Sequence, residues 1–65
     1  ETKVKDCHHV IIRKTGVKFS VSLHCTFNET LSVREVQKVS EQIESRIKER
    51  IREVESVLVH AEPSA

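Results

Sequence analysis

From Lys18 to Phe27 the side chains alternate without a break, with Phe19, Val21, Leu23, Cys25 and Phe27 on one parity and Ser20, Ser22, His24 and Thr26 on the other. A period of two sends successive side chains to opposite faces of an extended chain, so this stretch is predicted as a half-buried β-strand. The run before it, His9-Val-Ile-Ile-Arg-Lys14, is short and β-branched, and Thr15-Gly16 separates the two as a hairpin connection does. Together they predict an antiparallel pair.

Ser32-Val-Arg-Glu35 has the form of a capping box, with Leu31 and Val36 placed as a hydrophobic staple. The apolar residues Val36, Val39, Ile43, Ile47 and Ile51 then follow three- and four-residue spacing and form one stripe, predicting a helix from about Ser32 to about Ile51. Lys38, Glu41, Glu44, Lys48 and Glu49 are expected to face water, with Glu44 and Lys48 paired at four-residue spacing. Ser56 to Glu62 is again strand-like and stops at Pro63, which has no N–H to give to a ladder.

The order strand, strand, helix, strand predicts an α+β fold: a small open ferredoxin-like or metallochaperone-like β-β-α-β sheet with one main helix. The helical crossover makes the second and third strands parallel. One helix covers only one sheet face, and Val10, Ile11 and Ile12 put apolar groups on both sides of the first strand. The bare face therefore calls for another element or a second copy of the chain. At 65 residues the chain is expected to be one domain with marginal stability, and its ends are expected to fray.

Eleven basic and ten acidic residues are interspersed to a net charge of +1, and only Phe19 and Phe27 are aromatic, which argues against a nucleic-acid partner. No apolar run reaches the roughly 20 residues that span a bilayer, so this piece is expected to be soluble. Catalysis has little support: Gly16 is the single glycine, so no glycine loop cradles a phosphate, and no nucleophile and base are set on separate rigid elements. Cys7 and Cys25 lack Cys-x-x-Cys spacing; they can pair, but we read them as free thiols, with Cys25 continuing the buried row.

The histidines carry the more specific signal. His60 and Glu62 lie two apart on one strand and leave the same face, so they can converge on one ion, and His24 lies on the polar face of the second strand. His8 and His9 are expected on opposite faces of the first strand, so that only one of them joins a given site. Cys7, beside them, is an exposed further candidate. Imidazoles with a carboxylate suit Zn²⁺ and its first-row neighbours better than Ca²⁺ or Mg²⁺. A His on the polar face of a strand is also often simply solvated.

Taken together, His8-His-Val-Ile-Ile-Arg-Lys-Thr-Gly16, Phe19-Ser-Val-Ser-Leu-His24, the capped helix and Val57-Leu-Val-His60-Ala-Glu-Pro63 resemble the cytoplasmic C-terminal domain of the cation diffusion facilitator family. The resemblance runs through nearly the whole chain. It implies a module on the cytoplasmic side of a membrane transporter that forms a homodimer, contacts the membrane domain of the same transporter, and binds Zn²⁺ or a related divalent transition metal to regulate cation efflux. It implicates His8, His24, His60 and Glu62 as metal ligands. Gln37 stands where many members have a ligating His, and His9 where an acidic residue is common; both are possible further contributors. From the resemblance, the family's leading helix is expected to have no counterpart in these residues, and with it cover for the sheet. The alternative is a purely structural dimerisation module with solvated histidines.

Overall fold

The computed structural model describes residues 3–63 and has the predicted element order: β1 (Val4–Thr15), β2 (Lys18–Phe27), α1 (Val33–Arg50) and β3 (Val54–Pro63). The sheet runs β1-β2-β3, with β1 antiparallel to β2 and β3 parallel to it. The expected fraying of the outermost residues lies outside the described part. Within it, β1 starts earlier than the sequence suggests, because Val4 to His8 pair against the end of β2 despite their charged neighbours Lys3, Lys5 and Asp6.

The hairpin closes at Thr15↔Lys18. Gly16, first of the two turn residues, has a φ of 65°, as primed hairpin turns require and glycine supplies without a steric penalty. Two irregularities interrupt the β1–β2 ladder, one between Val4 and Asp6 and one between His8 and Ile11. At the second, His9 and Val10 together face Leu23, a β-bulge, and His9 adopts a φ of 53°.

The connection from β2 is set by side chains of its own sequence. Asn28 Oδ1 accepts from Thr30 N at 3.0 Å and from Thr30 Oγ1 at 2.9 Å, a local turn that delivers the chain to Ser32. The capping box forms in full: Glu35 N donates to Ser32 Oγ and Ser32 N donates to Glu35 Oε1, each at 3.1 Å. The bond from the Ser32 backbone, then that with its side chain, holds the Glu35 carboxyl below its ordinary value. Ser32→Ala is expected to lower stability by about 1 kcal/mol. In a domain this small that is a fall of roughly 4–8 °C in the midpoint, readable by calorimetry.

Leu23, Cys25 and Phe27 of β2, Val39 of α1, and Val54 and Val57 of β3 form the core, flanked by Val36, Ile43, Ile47, Val21 and Val59. The helix leans over β3. Val59 N donates to Glu44 Oε2 at 3.2 Å, so Glu44, expected in water beside Lys48, instead satisfies a backbone donor of the edge strand. The far side of the sheet is less well covered than one helix on one face implies. Ile12, on the helix side opposite Val21, is 62% exposed, and Ile11, on the open face opposite Ser22, is 47% exposed. Ile51 ends the helical stripe as its C-cap and joins Ile12, Phe19, Val21 and Val54 around an apolar groove.

Candidate metal centre

Strand parity decides which side chains share the open face. The ladders pair His8 with His24 and His24 with His60, so one imidazole from each strand stands in a row across the sheet. The next row holds Asp6, Thr26 and Glu62. Ring centres are 5.9 Å apart between His8 and His24 and 4.7 Å apart between His24 and His60.

Glu62 reaches from the β3 edge across His24. Its Oε2 lies 2.9 Å from His24 Nδ1 and its Oε1 lies 3.1 Å from His8 Nε2. Asp6 Oδ2 lies 3.2 Å from the other ring nitrogen of His8. Ionised carboxylates only accept, so a ring nitrogen that bonds to one of them carries the proton. The hydrogen bond from His24 is the main cause that holds the Glu62 carboxyl below its ordinary value of 4.5; desolvation opposes it, and the charges of His24 and His8 add to the lowering. The sign is that of a depressed acid. Its contribution to folding is present above 4.5 and is lost as pH falls through the lowered value.

Two sequence expectations need correction here. His8 and His9 do not diverge: the bulge and the positive φ turn His9 onto the open face, with its ring centre 5.3 Å from that of His8 and 5.5 Å from that of His24. The cysteines are not free thiols. Cys7 pairs with Cys25 in the ladder, their Cα atoms are 4.1 Å apart, and their sulfurs are bonded on the helix side of the sheet. Cys7 therefore stands on the face opposite the histidines. Gln37 is not brought to the row either; it lies exposed on α1, in the layer behind the sheet, and donates to Glu41 Oε2 at 2.8 Å. His8, His24, His60 and Glu62 do come together, and sequence reasoning missed Asp6, although Asp6-x-His8 carries the same two-residue signal as His60-x-Glu62.

The donor set is chemically that of a borderline metal such as zinc, with imidazoles, an ionised carboxylate, and in Asp6 an outer partner able to orient His8 through Nδ1 and leave Nε2 to an ion. Among the described residues no group of three or more such side chains already stands at coordinating geometry. They are bonded to one another instead, so an ion would replace the protons between Glu62 and the rings.

A three-stranded open sheet backed by one helix, with histidines and carboxylates gathered on the bare face, defines a small metallochaperone-like α+β domain. The family described as "Cation efflux protein, cytoplasmic domain" matches residues 1–64, and the chain belongs to that family. Among solved structures it is similar to the metal-bound C-terminal domain of the CzcD transporter from Thermotoga maritima, at 26% identity and a TM-score of 0.90, covering 94% of this chain and 71% of that one. It is also similar to the putative zinc transporter CzrB, at 15% identity and a TM-score of 0.92 over 100% of this chain and 78% of that one. The cytosolic domain of a cation diffusion facilitator family protein matches at 24% identity and a TM-score of 0.88, over 94% and 72%. These last two likenesses speak to the fold. No curated protein sequence matches the chain significantly. No helix among the described residues is long and apolar enough to cross a membrane.

Proposed function

We propose that this domain binds a divalent cation of the zinc type on its open face, at the row formed by His8, His24, His60 and Glu62, associates as a homodimer, and thereby biases the membrane domain of its own transporter. The observation that carries this reading is the row itself. Three strands each deliver an imidazole to one face, and a single carboxylate touches two of them at 2.9 and 3.1 Å. The metal-bound state of the CzcD domain supports it. The role is regulatory and not catalytic: an ion shifts a conformational equilibrium by the difference in its affinity for the two arrangements.

An ion that binds only the folded chain stabilises it by about 2.7 kcal/mol at a hundred times its dissociation constant. Chelator-stripped protein is therefore expected to gain roughly 10–20 °C in its unfolding midpoint under saturating Zn²⁺. An unchanged midpoint contradicts the reading. A second reading, a structural dimerisation module, draws on the exposed Ile11 and Leu58 of the open face, which a second copy would cover. Sedimentation separates the two. Zinc-linked association supports the regulatory role, and association indifferent to zinc supports the structural one.

A further inference from the structure

The row is too wide for one ion to touch all of it. His8 and His60 stand on strands separated by β2, roughly 10 Å apart at the backbone. The Glu62 carboxylate is committed to one end, where it meets His8 and His24. No hydrogen bond or ion pair among the described residues joins His60 to Glu62 or to His8. His60 contacts the group through its ring on His24 alone.

At the crowded end the fourth neighbour is His9. Two imidazoles on one tetrahedral zinc, each at a Zn–N distance of roughly 2.0–2.1 Å, have ring centres about 5 Å apart. The centre of His9 is 5.3 Å from that of His8 and 5.5 Å from that of His24. His9 is also the one described residue other than glycine with a positive φ. That conformation is unfavourable for a residue with a side chain, and strain of this kind gathers where a site depends on it. An unbulged hairpin would pair His9 with His24 and drive His8 to the opposite face, giving this end one β1 imidazole in place of two.

Resting on the proposed metal-binding function, we infer that His9 is a zinc-type ligand, and that it completes with His8, His24 and Glu62 a four-ligand site within a single chain. No residue at the Gln37 position is then needed. His60 becomes a flanking ring that supports His24.

The test is isothermal titration of Zn²⁺ into five chelator-stripped proteins: the parent chain, His9→Gly, His9→Asn, His60→Ala and His24→Ala. Glycine removes the ring and accepts the positive φ, so His9→Gly keeps the bulge, and its metal-free unfolding midpoint is expected not to fall. His9→Asn, another residue tolerant of that φ, serves as a second ring-deleted variant. Both are expected to lose affinity about tenfold or more, and more than His60→Ala loses. Parent-like affinity in His9→Gly and His9→Asn, with binding lost in His24→Ala, overturns the His9 assignment and leaves the metal site standing. A larger loss in His60→Ala than in His9→Gly overturns it as well. Parent protein that binds no Zn²⁺ overturns both the assignment and the function it rests on.

Discussion

His24→Ala is expected to cost the domain more zinc affinity than any other single change. His24 is the one ring in contact with every other member of the group, since it meets Glu62 at 2.9 Å and the rings of His8, His9 and His60 at 4.7–5.9 Å between centres. Removing it deletes a donor from the middle strand and frees the Glu62 carboxylate from its shorter hydrogen bond. Outer partners of metal ligands are worth roughly 10–100-fold in affinity, so the loss of a central ligand should exceed that range. Asp6→Asn, which removes only the carboxylate behind His8, is expected to fall within it. Competition with a chromophoric chelator ranks the two. Binding should also weaken as pH falls, because protons and the ion compete for the same nitrogens. A His24→Ala chain that retains parental affinity contradicts the placement of the site.

The second large effect is on stability. The Cys7–Cys25 bond ties β1 to β2 across a separation of 18 residues, and a loop near that length restricts the unfolded chain by about 3 kcal/mol. Total stabilities run at roughly 0.05–0.15 kcal/mol per residue, so the bridge supplies a large fraction of what a 65-residue domain has. Reduction is expected to lower the unfolding midpoint by roughly 10–25 °C with no change of sequence. The thiols would remain in the core, since Cys25 is fully buried. Thermal unfolding of oxidised and reduced protein, with the thiol count checked by alkylation, measures the difference. Equal midpoints contradict it. Family members work on the cytoplasmic side, where thiols are usually kept reduced, so the reduced form is the relevant reference for stability there.

The parts of the fold that were legible in the sequence are those whose cause is local. Alternation over Lys18 to Phe27 needs no knowledge of the rest of the chain, and the Ser32 to Glu35 box places its own helix start. The convergence of His60 and Glu62 follows from strand parity alone. What could not be read depends on the register between strands. Counting back from the turn at Gly16 without interruption sets His9 opposite His24 and Cys7 opposite Thr26, which separates His8 from His9 and Cys7 from Cys25. The single extra residue at the bulge reverses both results: it brings His8 and His9 to one face and turns Cys7 to the other. Histidine is among the side chains found more often at positive φ, but that weak preference does not by itself place a bulge at His9-Val10. Asp6 is hidden in the sequence for a related reason. Its charged neighbours resemble a frayed end until the ladder with Thr26 is known. Helical periodicity shows which side chains leave the core stripe, but not that Glu44 reaches the edge of β3.

The central claim, that the open face binds a zinc-type ion by giving up protons, is tested most directly by calorimetric titration of Zn²⁺ into chelator-stripped protein in two buffers of different ionisation enthalpy. The account predicts saturable binding whose heat differs between the buffers, because protons leave the imidazoles as the ion enters, and which disappears in His24→Ala. Absence of saturable binding, or binding that His24→Ala leaves unchanged, would contradict it.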